Sequence, residues 1–149
     1  MMNRMLFLLA AGLAVLLIGC GSGPFGLMSG ESLDGPVMPV PEQWSFESST
    51  TAQLETNPSM PYSVNLSATL IDGQIYINAG DTETTWVQNI ERDSNVRLRI
   101  DGTVYELQAQ RVTDVAEMKR FGAAWTSMSS FMRDPSEFEE AWVYRLSAR

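Results

Sequence analysis

The chain of 149 residues contains no histidine, and cysteine occurs only once, at Cys20. A histidine-based metal site, a Ser-His-Asp triad and a disulfide within one chain are therefore excluded. Basic residues are also scarce, since 10 Lys and Arg stand against 18 Asp and Glu, and none lies between Arg4 and Arg92. The chain, with a net charge of −8, lacks the basic surface that nucleic-acid binding requires, so the sequence predicts no nucleic-acid partner.

The N-terminus carries the pattern of a secretory signal. Arg4 precedes an apolar run from Met5 to Ile18, which is shorter than the roughly 20 residues that a membrane span needs. The run ends in Leu17-Ile18-Gly19-Cys20, which resembles a bacterial lipobox. This resemblance implies that residues 1–19 are a signal peptide cleaved before Cys20, and that Cys20 is lipidated. The alternative is an ordinary signal peptide followed by a chance cysteine.

The expected location follows from the residues around Cys20. The chain is acidic and is not drawn to an anionic leaflet, so the lipid on Cys20 is expected to hold it at the membrane. Gly21 stands where an Asp usually signals inner-membrane retention in Gram-negative bacteria. We therefore expect a lipid-anchored protein of the bacterial cell envelope, at the periplasmic face of the outer membrane.

Composition divides the rest of the chain into two parts. Residues 20–41 are rich in Gly, Ser and Pro, which predicts a flexible tether. Residues 42–149 are enough to build one core, which predicts a single domain.

Alternating apolar and polar residues predict antiparallel strands in this domain. One strand begins near Trp44 and continues through Leu54, until the run 57–61, Asn-Pro-Ser-Met-Pro, breaks it. Asp-Gly pairs at 72–73 and 101–102 predict tight hairpin turns. The remaining predicted strands cover 64–70, 75–79, 96–100, 105–110 and 142–146.

Two helices are predicted between the strands. Asp81-Thr82-Glu83-Thr84 is typical of the start of a short helix, and Thr113 or Asp114 can cap a longer one that Asp134-Pro135 ends. Apolar residues three or four positions apart give the longer helix a buried stripe. The members of this stripe are Val115, Met118, Phe121, Trp125, Met128 and Phe131 or Met132. Hairpin-linked strands with few helices favour a small barrel with helices packed outside.

Several stretches between Leu70 and Asp114 follow one another in a distinctive order. They are the hairpin around Asp72-Gly73, the Trp-x-x-Asn element at 86–89, the strand 95–100 and the strand that ends in Val112-Thr113-Asp114. In this order they resemble the split β-barrel family of the pyridoxamine phosphate oxidases, especially its deazaflavin-dependent nitroreductase branch. The resemblance implies a mainly β fold with α: an antiparallel split β-barrel of about six strands, with helices outside.

The resemblance also implies a homodimer that holds FMN or a deazaflavin in a groove, with redox chemistry carried by that cofactor. By position, the resemblance assigns the cofactor groove to Thr56, Ser59, Tyr62, Asn65, Asn78, Ala79, Trp86 and Asn89.

The same residues leave alternatives open. The family's phosphate-binding loop is usually basic, whereas the stretch 56–60 contains neither Arg nor Lys. Trp86 and Asn89 lie either beside a cofactor or in the core, as a plug and a hydrogen-bonding partner of nearby groups. The two functions that remain are a flavin-type envelope oxidoreductase or cofactor binder, and a non-catalytic binding or structural lipoprotein that kept the barrel and lost the cofactor.

Overall fold

The computed structural model describes residues 22–149, so the predicted signal peptide and the lipidation site Cys20 lie outside the described residues. The strands are β1 (Ser49–Thr56), β2 (Tyr62–Ile71), β3 (Gln74–Ala79), β4 (Asn95–Ile100), β5 (Thr103–Arg111) and β6 (Trp142–Ala148). They form a closed antiparallel barrel in the order β1-β2-β3-β6-β5-β4. The helices are α1 (Thr85–Arg92) and α2 (Val115–Ser127), with a 3₁₀ turn at Pro135–Glu137. The predicted mainly β split barrel with helices is confirmed.

Both predicted Asp-Gly hairpins are present. Asp72 and Gly73 have φ values of 50° and 79°, and Asp101 and Gly102 have values of 48° and 80°. Positive φ at both central residues gives a turn whose twist matches the twist of the flanking strands. These two turns therefore fix the registers of the β2–β3 and β4–β5 hairpins.

The main core fills the barrel and reaches α1. Inward-facing residues of the strands, such as Leu54, Ile77 and Leu98, are completely buried. Trp86, Val87 and Ile90 of α1 belong to the same cluster, so this helix covers the end of the barrel where β1 and β3 finish and β2 begins. A second, smaller cluster joins α2 to the outer face of β3 and β6 through Tyr76, Phe121 and Val143.

The barrel is split along β2. Only Thr69–Ile71 of this strand pair with β3, although β2 is paired with β1 along 62–69. The remaining free edge of β2 is covered by the chain before β1. Gly30 and Ser63 exchange two backbone hydrogen bonds of 2.9 Å, which satisfy groups that an unpaired edge would leave exposed.

Residues 22–40, called the strap below, cross the outside of the barrel from β2 to β5. Leu33 is buried where the strap passes over β1, and its N–H donates to the Glu55 carboxylate at 2.7 Å. At the far end, Val104 of β5 donates to Pro36 O at 2.9 Å and accepts from Met38 N–H at 3.0 Å. The strap thus bonds to one point on each of two strand edges and crosses the face between them.

The strap corrects the expectation of a flexible tether over residues 20–41, because the described part of that range is bonded along the barrel. Two of its glycines, Gly30 and Gly35, are required by close packing. A Cβ at Gly30 would collide with the backbone of Gly23 and Pro24, and one at Gly35 would collide with the Gly102 carbonyl. Composition alone does not separate a glycine that confers freedom from one that permits contact.

The beginnings of two elements differ from prediction, and that of a third agrees. β1 begins at Ser49 and not near Trp44, which instead packs its ring edge on Tyr105 with centroids 4.9 Å apart. Helix α1 begins after Thr84, whose side chain makes no capping hydrogen bond. The Asp114 cap of α2 is confirmed by its hydrogen bond from Glu117 N–H at 2.8 Å.

The predicted stripe of α2 is too long at both ends. Val115 is 68% exposed because it starts the helix, and Phe131 is 94% exposed because the helix already ends at Ser127. Within 22–149, no helix has the length and apolar character needed to cross a membrane.

Candidate functional site

The topology brings the strand ends that carry several of the eight predicted groove residues to the α1 end of the barrel. β1 ends there at Thr56, β2 begins at Tyr62, and β3 ends at Ala79. The contacts of the individual side chains decide whether this end can hold a cofactor.

Thr56 and Asn89 are bonded to each other in the interior. Asn89 Nδ2 donates to Thr56 Oγ1 at 3.0 Å, and Thr56 Oγ1 donates to the carbonyl of Tyr62 at 3.2 Å. Thr56 is 1% exposed and Asn89 is 6% exposed. These polar groups hold α1 against the first two strands and are not presented to a ligand.

Trp86 and Ala79 are core residues. Trp86 packs edge-on against Tyr144 at a centroid distance of 6.1 Å, and both Trp86 and Ala79 belong to the main core cluster. The structural alternative for the Trp-x-x-Asn element, a core plug and a hydrogen-bonding partner, describes what Trp86 and Asn89 do here.

Asn65 faces outward but lies beneath the strap. Its carboxamide donates to Gly26 O at 2.9 Å and accepts from Gln53 Nε2 at 3.0 Å. Ser59 is exposed in the β1–β2 turn, where its hydroxyl donates to Asn57 Oδ1 at 3.0 Å. Tyr62 is half-buried against the core. Of these three residues, only Tyr62 contacts the Thr56–Asn89 pair, through its backbone carbonyl.

The polar outer face of β2 is mostly covered. The four alternating polar residues of this face are Ser63, Asn65, Ser67 and Thr69. Ser63 and Thr69 are buried, and only Ser67 is exposed. The strap pairs with the backbone of Ser63 at the edge of β2, and it accepts a hydrogen bond from Asn65.

Two nearby arginines are also committed to internal contacts. Arg97 forms an ion pair with the buried Glu55 carboxylate at 3.0 Å. Arg99 donates to Gln53 Oε1 at 2.6 Å and to the Asp34 carbonyl of the strap at 2.8 Å. Both guanidinium groups are therefore already bonded on the side of the barrel that the strap crosses. To bind an anion, each would have to lose these partners.

Asn78 lines a different feature, a pocket of about 400 Å³ beside the end of β3. Its walls come from Asn78–Gly80, the end of α2 and the segment 131–141. Sequence analysis placed Phe131 in the stripe of α2, so it missed this wall. The lining is mainly apolar and includes Trp125, Phe131, Met132, Arg133, Pro135 and Phe138.

Among the described residues that line this pocket, Arg133 is the only cation, and its guanidinium carbon lies 5.5 Å from the centroid of the Phe138 ring. Glu140 also lines the opening. A lining of aromatic rings with few polar groups suits an apolar or aromatic ligand. Neither hydrophobic periodicity nor a sequence motif indicated Arg133, because the segment after α2 has no regular structure beyond its 3₁₀ turn.

A polar network lies on the α2 side of the barrel. Tyr76 donates to Glu117 Oε1 at 2.8 Å, and Arg145 donates to the same carboxylate at 2.9 Å. Burial, and then the hydrogen bond and negative charge of Glu117, raise the pKa of Tyr76 to about 12. Tyr144, which donates to Glu91 at 2.7 Å, also has a raised pKa, chiefly from burial. Both phenols are protonated structural donors at neutral pH.

Among residues 22–149, no three acidic or cysteine side chains come together as a metal-binding group. Most of the polar groups described above pair with one another, although within 22–149 the buried hydroxyls of Ser63 and Thr69 have no hydrogen-bond partner. The Tyr76 and Tyr144 hydroxyls contact carboxylates, but both are structural donors rather than activated nucleophiles. Any redox chemistry at this end would therefore have to be carried by a bound cofactor.

The fold has counterparts among solved structures. A protein of unknown function from Agrobacterium tumefaciens superposes with a TM-score of 0.51 at 20% identity, over 68% of this chain and 49% of that one. A candidate pyridoxamine 5'-phosphate oxidase from Listeria innocua gives 0.51 at 15%, over 65% and 82%. General Stress Protein 26 from Bacillus anthracis gives 0.50 at 18%, over 65% and 78%. At such identities the likeness shows the fold alone, a pyridoxamine phosphate oxidase-like split barrel.

No protein-family model matches the chain, and no curated protein matches its sequence.

The predicted groove does not fit a flavin phosphate. Four of its eight residues are in the core, Asn65 lies under the strap, and the stretch from Thr56 to Asn65 contains no basic residue. A phosphate requires arginine forks, lysine or free amide groups, and the nearest arginines are bonded to the strap face.

Proposed function

We propose that this chain is a lipid-anchored protein of the bacterial envelope whose split barrel acts as a non-catalytic binding module. One observation carries the proposal: polar groups that would receive a cofactor bond to one another or to the strap. Thr56 bonds to Asn89, Asn65 bonds to Gly26, and Arg99 bonds to Asp34. A fold of this kind can be kept after its site is lost, because function belongs to the site and not to the fold.

The anchor in this proposal is Cys20, at the periplasmic face of the outer membrane. Its support comes from the lipobox-like Leu17-Ile18-Gly19-Cys20 and from Gly21 after it. Mass spectrometry of the mature chain tests it, since cleavage before Cys20 and an attached lipid change the mass of the N-terminal peptide. An unmodified cysteine would contradict the anchor.

The binding site in this proposal is the apolar pocket between β3 and the segment 131–141. We expect it to take an aromatic or aliphatic molecule with one acidic group, because the walls are apolar and Arg133 supplies a cation at the rim. The aromatic anion anilinonaphthalene sulfonate is a suitable probe, because its emission rises when it leaves water.

The matched pair of variants is Arg133→Ala and Lys119→Ala, which each remove one cation, the first at the pocket and the second on an exposed part of α2. We expect saturable probe emission that Arg133→Ala weakens several-fold and Lys119→Ala leaves unchanged. Equal effects of the two substitutions, or no saturable emission, would contradict this site.

The second candidate is a flavin- or deazaflavin-dependent oxidoreductase, which the likeness in fold to a candidate pyridoxamine 5'-phosphate oxidase favours. A titration of the purified chain with FMN, followed by flavin fluorescence, separates the two. We expect no saturable quenching at micromolar flavin and no visible absorbance in the isolated protein. A bound chromophore would instead support the oxidoreductase, and a deazaflavin titration completes the comparison.

A further inference from the structure

The strap begins with a small hairpin, residues 22–31. Glu31 N–H donates to Ser22 O at 2.6 Å, and Phe25 and Met28 exchange hydrogen bonds of 3.1 and 2.9 Å. The hairpin is joined to β2 through Gly30 and Ser63, and its turn is held by the bond from Asn65 to Gly26 O. These contacts fix the turn relative to the barrel.

The turn presents apolar side chains to solvent. Phe25 is 78% exposed, Leu27 is fully exposed and Met28 is 65% exposed. Three large apolar groups within four positions form a concentrated patch on a segment whose backbone is fixed. These residues, Phe25–Met28, are called the tip below.

The length of chain before the tip indicates what covers it. Ser22 lies two positions after Cys20, and two extended residues span about 7 Å. Because Ser22 is already bonded into the hairpin, a lipid on Cys20 leaves almost no free chain between the bilayer and the barrel. The tip begins five positions after Cys20, and five extended residues span about 17 Å, so the tip stays close enough to the anchor for both to reach the same bilayer.

We propose that the tip inserts into the bilayer interface beside the lipid anchor, and that it holds the barrel against the membrane by this face. The inference rests on the proposed lipidation of Cys20 and names the surface that the anchored protein presents to the lipid. Burial of the apolar side chains drives this insertion, because the hairpin contains no basic residue and includes Glu31. Anionic lipid is therefore not required.

The test uses the full mature chain, lipidated at Cys20 and reconstituted in phosphatidylcholine vesicles. Leu27→Cys supplies the only free thiol for an environment-sensitive fluorophore, because the thiol of Cys20 is occupied by lipid. Val115→Cys is the matched control, since Val115 is also apolar and exposed but begins α2, on the β3–β6 side of the barrel. Vesicles with spin-labelled lipid then report contact with the bilayer.

We expect the probe at position 27 to shift to the blue and to be quenched by spin-labelled lipid several-fold more than the probe at position 115. Added phosphatidylglycerol should not increase the quenching. Mass spectrometry of the same sample separates the possible failures. A chain without lipid overturns the anchor and this inference together, whereas a lipidated chain with equal quenching at both positions overturns the inference alone. A blue-shifted probe at position 27 that lipid does not quench would show that a second copy covers the tip, which also overturns it.

Discussion

Glu55 is the residue through which the barrel holds the strap most firmly. Its carboxylate is 5% exposed and accepts from both Leu33 N–H and the Arg97 guanidinium. Removing a buried acceptor leaves the N–H and the cation without a partner, which costs far more than the loss of an exposed ion pair.

We expect Glu55→Ala to lower the free energy of unfolding by about 2–4 kcal/mol, measured by urea denaturation. Glu106→Ala is the control, because the Glu106–Arg149 pair at 3.2 Å is exposed and should contribute under about 1 kcal/mol. Glu55→Gln keeps an acceptor for Leu33 and should fall between the two. Equal losses for Glu55→Ala and Glu106→Ala would contradict the role given to Glu55.

The raised pKa of Tyr76 predicts how the free energy of unfolding changes at alkaline pH. Its pKa is raised from 10.0 to about 12 in the folded chain, so over this interval the unfolded phenol loses its proton while the folded one keeps it. The unfolded state then binds fewer protons, and the free energy of unfolding falls as the pH rises.

Tyr76→Phe removes the contribution of Tyr76 and should make the decline between about pH 10 and 12 less steep, as measured by urea denaturation at each pH. The contribution of Tyr144, whose pKa is also raised, should remain. At neutral pH the same variant should lose about 1 kcal/mol with the hydrogen bond to Glu117. An unchanged slope in Tyr76→Phe would contradict the raised pKa.

At the scale of elements, the strap depends on glycine at position 30. An added Cβ would collide with the backbone of Gly23 and Pro24, and the two bonds to Ser63 would be pushed apart. We expect Gly30→Ala to raise the rate of cleavage after Glu31 by a glutamate-specific protease at least about tenfold, because a loss of about 1.4 kcal/mol in local stability increases the open population tenfold.

Gly80→Ala is the control for this substitution. Gly80 has an ordinary φ, and nothing lies within 4 Å of an added Cβ there. The rate of cleavage after Glu31 should be the same in Gly80→Ala as in the native chain. If Gly30→Ala also leaves the rate unchanged, the strap does not pack as described.

The strands, turns and buried helix faces could be predicted from sequence because their signals are local. Alternation marks β2 and β4, and Asp72-Gly73 fixes a hairpin by the φ values it favours. The strap carries no such signal, since an extended segment that follows strand edges has no periodicity of its own. The sequence assigned Thr56 and Asn89 to the same groove, and in the structure they lie together at one end of the barrel. Only packing decides that they bond to each other.

At the scale of the whole molecule, the strap links the predicted anchor to the barrel and bonds to Asn65, one of the residues assigned to the cofactor groove. The homodimer that the family resemblance implies stays a prediction. Sedimentation of the chain in detergent tests it, with twice the mass of one chain as the expected result and a single-chain mass as the contradicting one. The strap face is already occupied, so a dimer of this chain would use another face of the barrel.

Hydrogen–deuterium exchange of the native chain tests the central claim most directly, because the account depends on a strap that is bound to the barrel. The informative amides are those of Gly30, Leu33, Met38, Ser63 and Val104, each of which donates across the contact between strap and barrel. We predict that these N–H groups exchange as slowly as those of β1 and β4. Exchange of the strap amides at the rate of an unstructured peptide, with β1 and β4 still protected, would contradict the account.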